Sequence, residues 1–211
     1  MSVTPDPAPL AERRRQRLSE DERRAQIIDG CLEVLARDGY RRASVARIAQ
    51  AAGVSKGLVS HYFTDKETLM EQTAIATVGF LRAEVGAAVD LTADVPGVLR
   101  AAVHYAARLR QTHSRELRAL DQIAHNLRRA DGGPRLDLRA YEETYQAQER
   151  LFRRGQHEGT LREFDTRVMA VTYQGAIDTM LAYLDAHPDA DPSAYADTLA
   201  DLLLNAMRRR G

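Results

Sequence analysis

From residue 20 onward the apolar positions recur in a helical rhythm, and no run alternates long enough to form a strand. Ala25, Ile28, Leu32 and Leu35, with Cys31 beside them, follow one another at spacings of three and four. Ser19 and Glu22 make S-E-D-E a capping box ahead of that stripe, because each side chain reaches an amide that a helix start leaves without a partner. Gly39 stops the helix just after Asp38. A second, short helix is expected next, capped by Ser44 and striped by Val45, Ile48, Ala49 and Ala52. Gly53 supplies the positive φ of a turn, and Val54 is the buried plug behind it. Ser55 caps a third helix whose Val59 and Phe63 face inward, four residues apart. That leaves Lys56, Gly57, Leu58, Ser60, His61 and Tyr62 on or near the outer face. Residues 64–67, T-D-K-E, read as a second capping box that opens the run LMEQTAIATVGFLRAEVGAAV without a linker.

The rest of the chain predicts helices at about 96–111, 114–130, 136–158, 165–186 and 192–209. Pro96, the break Asp131-Gly132-Gly133-Pro134, Gly159, Pro188 and Pro192 punctuate them, and Gly155 and Gly159 are read as marking one helix end. Asp165 and Asp191 stand at cap positions, and Pro192 fits the first helical position. The expected fold is all-α, with about nine helices in three parts: a disordered basic arm (1–18), a helix-turn-helix unit (19–66) and a larger helical unit (67–211). The middle part has too little core to stand alone and should lean on the larger helical unit.

Two late segments are apolar beyond a single stripe. VMAVTYQGAIDTMLAYL, from Val168 to Leu184, includes the small residues Ala170, Gly175 and Ala176, and the last helix carries Tyr195, Leu199, Leu202, Leu203, Ala206 and Met207. A helix of this kind is either central in its own bundle or shared with a partner, and two-fold pairing of the last two helices is the economical arrangement.

Charge adds a direction. The chain has 30 basic and 30 acidic residues, so it has no general attraction for polyanions. From Leu10 to Lys66, however, 12 Arg or Lys face 8 Asp or Glu. A positive end on a neutral molecule suits a binder that holds phosphates and is later released, although an ordinary mixed surface shows the same surplus. The arm contains Arg13, Arg14, Arg15 and Arg17 and is suited to a neighbouring minor groove or to solvent. No apolar run reaches 18 residues and no leader pattern opens the chain, so a cytoplasmic protein is expected. Cys31 alone makes no disulfide and no cysteine metal site; it reads as a core residue, with a redox sensor as the alternative. The histidines His61, His104, His113, His125, His157 and His187 show no ligand spacing, and neither an HExxH motif nor a phosphate loop is present. Neither metal nor cofactor is expected, and the chain is not read as an enzyme.

A bare helix-turn-helix fits a structural hairpin as well as a DNA reader. The longer stretch RRAQIIDGCLEVLARDGY followed by SVARIAQAAGVSKGLVSHYFTDKETLMEQ, and within it IAQAAGVSKG and HYFTDKETL, resembles the TetR family of transcriptional regulators. Its SHYF form, with serine at position 60, is similar to that of the choline-responsive repressors of betaine synthesis; many other members carry there an aromatic residue that touches the DNA backbone. The resemblance implies a homodimeric repressor whose first three helices bind a palindromic operator. It also implies a larger unit that encloses a small-molecule pocket, pairs through its last two helices and releases DNA when a ligand enters. An architectural DNA-bound protein without an effector is the alternative.

On that footing Lys56 is expected at guanine or phosphate, Gly57 at the point of close approach, and Leu58 against a thymine methyl. Ser60 and His61 are expected at short polar contacts, and Ser44, Tyr62 and Lys66 at phosphates, with Arg47 a looser candidate. Tyr62 and His61 also fit as a core cover and an ordinary exposed histidine. Candidate effector contacts are His104, Tyr105, Tyr141, Tyr145, Met169, Tyr173 and Asp178, since tyrosines with a carboxylate suit an organic cation. The tyrosines fit equally well as core or interface residues, and the effector's identity is not legible.

Overall fold

The computed structural model describes residues 18–128, 132–133 and 138–208. The predicted basic arm, except for Leu18, lies outside the described residues. Among them are nine α-helices and one short 3-10 turn, and no strand beyond an isolated bridge between Leu161 and Arg208. The fold is all-α.

The first three helices are α1 (Glu20–Asp38), α2 (Val45–Ala51) and α3 (Lys56–Tyr62). The Ser19–Glu22 capping box opens α1, and Gly39 closes it at φ 76°. The buried stripe of α1 is rotated from the one expected. Ile27, Cys31, Val34 and Leu35 are buried, whereas Ala25 is exposed and Ile28 only half-buried. The reason is Gly30, where α1 meets the end of α2: a Cβ there would stand 2.7 Å from the Ala52 nitrogen. That contact turns Ile27 and Val34 inward, and Gln26 fastens it by donating to the Ala52 carbonyl at 2.7 Å. Ile48, Ala49 and Ala52 of the expected α2 stripe are buried, while Val45 and Val54 are half-buried at its edge.

Helix α4 (Lys66–Ala88) is capped by Asp65, whose Oδ1 accepts from the Thr68 amide at 2.7 Å. The expected box at Thr64 is therefore displaced by one residue. The aspartate carboxylate reaches an amide three residues on, and a charged acceptor at a helix start is the stronger cap. The next helices are α5 (Val95–Thr112) and α6 (Ser114–Asn126). Helix α6 ends earlier than the stretch predicted to residue 130. The stretch predicted to begin at 136 is instead a 3-10 turn, Leu138–Tyr141, leading into α7 (Glu142–His157). Gly155 lies within α7 and is buried, because the returning chain places Leu161 Cδ1 2.7 Å from where its Cβ would be; Gly159, at φ 72°, makes the turn itself. Asp165 and Asp191 cap α8 (Thr166–Ala186) and α9 (Pro192–Met207).

Two apolar cores result. One joins α1, α2 and α3 to Leu69, Met70 and Ala74 of α4 and to Ala119 and Ile123 of α6, with Leu127 just beyond. The other is built on α5, α7, α8 and α9 around Val103, Phe152, Tyr173, Met180 and Leu204. Cys31 belongs to the first core, where burial pushes its thiol up to about 11; such a thiol is inert. Helices α4 and α6 pass from one core to the other.

Candidate functional site

The local geometry of α2 and α3 depends on two serines. Ser44 Oγ accepts from the Arg47 amide at 3.3 Å, and Ser55 Oγ accepts from the Leu58 amide at 3.1 Å. Val59 and Phe63 anchor α3 in the core, at 1% and 3% exposure. With that side fixed, Lys56, Gly57, Ser60 and His61 are exposed, and Leu58 and Tyr62 half-buried. Lys56 makes no ion pair among the described residues. At Gly57 the nearest atom to an added Cβ is Ser55 Oγ at 4.0 Å, so only an external surface would require the glycine there. Tyr62 is held between neighbours: the Arg24 guanidinium is 5.4 Å from its ring centroid, and His61 meets it edge-on at 5.3 Å.

Two further cations stand beside this surface with their charge already engaged. Arg47 pairs with Asp38 at 3.3 Å. Arg37 and Arg47 together hold the Asp38 carboxyl below the usual carboxylate range, chiefly through the Arg37 hydrogen bond. Lys66 Nζ donates to the Tyr40 carbonyl at 3.0 Å and lies 4.5 Å from the Tyr40 ring centroid. Arg41 and Arg42, exposed in the turn just ahead of Ser44, have no ion pair among the described residues. Sequence reasoning passed over them, although a basic pair directly before a helix cap was the available signal.

The second feature is a cavity of about 580 Å³ between α4, α5, α6, α7 and α8. Its wall is mostly apolar, with Val78, Leu81, Val85, Val98, Leu109, Leu117, Leu120 and Leu151 contributing. Polar groups gather on α7, α8 and the 3-10 turn: Tyr141, Thr144, Gln148, Gln174 and Asp178. Gln148 Nε2 donates to Gln174 Oε1 at 2.8 Å, and Gln174 Nε2 donates to Asp178 Oδ1 at 2.9 Å. The Tyr141 hydroxyl also hydrogen-bonds Asp178. Burial pushes the Asp178 carboxyl up to about 6 against these two bonds, and the Tyr141 phenol is raised by burial and by that carboxylate.

Of the expected effector contacts, Tyr141, Tyr173 and Asp178 stand together on this wall. Tyr173 is otherwise a core residue, its hydroxyl donating to the Leu99 carbonyl at 3.0 Å, and burial raises its phenol. His104, Tyr105, Tyr145 and Met169 are elsewhere. His104 faces α9 and sits 3.0 Å from Asp197. Tyr105 lies under the Arg108 guanidinium at 5.5 Å, and Tyr145 under that of Arg167 at 5.6 Å. Met169 packs at the edge of the larger core. Gln148 and Gln174 escaped sequence reasoning because a neutral amide on a helix leaves no pattern by which to find it.

Helix α6 connects the two features. Leu117 and Leu120 line the cavity, whereas Ala119, Ile123 and the adjoining Leu127 lie in the first core. On the same helix Gln122 Oε1 accepts from the Tyr40 amide at 3.3 Å, and Arg115 pairs with Asp29 of α1 at 2.9 Å. A third feature is apolar and exposed: Val168 and Tyr183 on α8 and Leu202 on α9, at 64%, 43% and 65% exposure. No helix among the described residues is long and apolar enough to cross a membrane.

Comparison with known proteins bears on both halves. Residues 27–73 match the bacterial regulatory proteins of the tetR family. The HTH-type transcriptional regulator BetI of Serratia proteamaculans is 45% identical over 69 residues, 33% of this chain and 33% of the relative. The chain thus matches about a third of that relative's length, in the N-terminal region. Over most of the chain the likeness is to solved structures. The fatty acid degradation regulator FadR from Bacillus halodurans has a TM-score of 0.70 at 23% identity, covering 87% of this chain and 99% of its own. FadR from Bacillus subtilis, solved in complex with stearoyl-CoA, has a TM-score of 0.70 at 21% identity, covering 85% and 97%. At such identities the likeness establishes the shared fold.

Proposed function

With residues 27–73 carrying the N-terminal domain of the tetR family of bacterial regulatory proteins, we propose that this protein is a homodimeric transcriptional repressor released from a palindromic operator by a small organic effector. The observation that carries the reading is α3. Its inner side is locked by Val59 and Phe63, and its outer side offers Lys56, Gly57, Ser60 and His61 to solvent, with the exposed Arg41 and Arg42 nearby. That is the arrangement of a reading helix seated in a major groove and flanked by cations for phosphates. In this reading residues 19–66 form the DNA-binding unit and 67–211 the effector-binding and dimerisation unit, with the basic arm of residues 1–18 ahead of them.

Lys56 and Leu58 read base edges. Ser44, Tyr62, Lys66, Arg41 and Arg42 position the molecule on the backbone, with Arg47 available if Asp38 gives it up. The exposed Val168, Tyr183 and Leu202 support pairing through α8 and α9, which presents two reading helices to successive turns of one groove. The cavity supports the sensing role over a purely architectural one, since dimerisation alone requires no such space. A protein of this fold solved in complex with stearoyl-CoA supports a small-molecule ligand in the larger unit. In-vitro selection from random DNA, followed by gel shift with the purified full chain, tests the reading. The expected product is a palindrome of roughly 14 to 30 base pairs bound by a dimer; selection of no palindrome would sink it.

A further inference from the structure

Asp178 stands on the wall of an otherwise mostly apolar cavity with no cation paired to it among the described residues. The cations that share the wall are committed elsewhere or lie in solvent. Arg82 Nη2 pairs with Glu143 Oε2 at 2.7 Å. Arg154 donates to the Leu91 and Ala93 carbonyls and pairs with Glu158 at 3.3 Å. Arg150 is exposed.

The amide chain beside Asp178 has a fixed direction. Gln148 donates to Gln174, and Gln174 donates to the carboxylate. Turning the Gln174 amide over would set its carbonyl oxygen against a carboxylate oxygen, so the carboxylate fixes the orientation of both amides. The consequence falls on Gln148: its Oε1 is buried on the cavity wall with no hydrogen-bond donor. Arg82 Nε is likewise without a hydrogen-bond acceptor, but the charge of that side chain is met by Glu143. The cavity therefore offers one uncompensated negative charge and one orphan acceptor, and both are satisfied by a ligand that brings N–H groups.

We infer that the cavity takes an amphipathic organic amine, its protonated nitrogen donating to the Asp178 carboxylate and the Gln148 carbonyl oxygen and its hydrocarbon body lying on the apolar side chains of α4, α5 and α6. This rests on reading the cavity as the effector site. An ionised carboxylate held out of water is costly until a cation joins it, so the amine gains more here than an uncharged molecule of the same shape. A carboxylate ligand meets the reverse, since it would stand beside Asp178 with no free cation to receive it. A volume of about 580 Å³ suits a drug-sized molecule.

Calorimetric titration of the full chain at pH 7.5 with decylamine, decanol and decanoate tests the inference, the three probes differing only at the head group. Decylamine is expected to bind at least tenfold more tightly than decanol, and decanoate most weakly. Asp178→Asn, which keeps the shape, is expected to bring decylamine within threefold of decanol while leaving decanol unchanged. If Asp178→Asn does not fold, as judged by circular dichroism, Gln148→Leu takes its place and is expected to cost the amine tenfold and the alcohol less than threefold. Decanol or decanoate equalling decylamine, no binding by any probe, or variants that weaken amine and alcohol alike would each overturn the assignment. Operator affinity measured with saturating decylamine separates the two readings: selective amine binding that leaves operator affinity untouched keeps this site and removes its role as a release signal.

Discussion

Lys56 and Lys66 lie ten residues apart with the same charge, yet the fold treats them differently. Lys66 is fastened to the Tyr40 carbonyl and ring, so its ammonium is pre-positioned and part of its donor capacity is spent. Lys56 is exposed on the first turn of α3 and able to follow a base edge. Lys56→Ala is therefore expected to change preference among operator variants, by about 1–3 kcal/mol if its contact is a good one. Lys66→Ala, Tyr62→Phe and Arg42→Ala should weaken cognate and scrambled DNA by similar factors, because phosphates carry no base sequence. Fluorescence anisotropy across an operator-variant panel distinguishes the two; an even loss for Lys56→Ala would take away its base-reading role. In the cavity the decisive residue is Asp178, whose carboxyl is raised to about 6 by burial. A carboxyl with a higher pKa folded than unfolded favours the folded state while it is protonated, and that contribution disappears as pH rises from about 4 to about 6. Urea unfolding is expected to show stability falling across that window by no more than about 3 kcal/mol from this group, and Asp178→Asn should abolish that share of the slope. An unchanged slope in the variant would mean that the carboxyl titrates normally. Asp178 and its partner Tyr141 were visible as chemistry in the sequence, but the amides that orient the carboxylate were not, because their role exists only once α7 and α8 are side by side.

At the scale of elements, the helices were legible wherever a cap or breaker marks an end. Ser19, Ser44, Ser55, Asp165 and Asp191 each hold the first turn they were expected to hold. Rotation of a helix about its axis was harder to read. In α1 the adjacent Ile27 and Ile28 support two neighbouring stripes equally well, and periodicity alone favoured the wrong one. What selects the stripe is Gly30, which carries no hydrophobic signal and is buried because α2 comes so close. Gly30→Ala tests that account. Alanine raises helix propensity by up to about 1 kcal/mol, but its Cβ would lie 2.7 Å from the backbone nitrogen of Ala52 and 2.9 Å from its Cα, where no side chain can yield. The clash should win, lowering stability by about 1–3 kcal/mol and weakening DNA binding as α2 is pushed off α1. A variant as stable as the parent in urea unfolding would show that the contact is loose. Gly155 makes the same point in α7, where a residue expected to end the helix is instead the place at which Leu161 packs against it.

In the whole molecule the two apolar cores share α4 and α6, so the reading helix and the cavity are joined through packed helices and have no flexible linker between them. The sequence suggested the α4 connection, because a helical run comes almost at once after the reading helix. It held no hint of α6, whose residues from Leu117 to Leu127 come some sixty positions after the reading helix and turn one side to the cavity and another to the first core. Binding that shifts α6 must act on the first core through two polar ties as well as through packing: Gln122 holds the amide of Tyr40, and Arg115 holds Asp29. Tyr40 also carries Lys66 on its carbonyl, so a displacement of α6 reaches the α1–α2 turn and the start of α4 together. A ligand lowers operator affinity only by the factor that the operator lowers ligand affinity. In the proposed reading that factor is at least tenfold, or about 1.4 kcal/mol. The double variant Arg115→Ala, Gln122→Ala removes the two ties and leaves both binding surfaces intact. It is expected to bind operator and ligand separately within about threefold of the parent, yet to show a coupling factor reduced toward one, measured in both directions by titrating operator with and without ligand and ligand with and without operator. If the double variant keeps the full factor, the cavity communicates with the reading head by another route, and α4 is the helix to probe next.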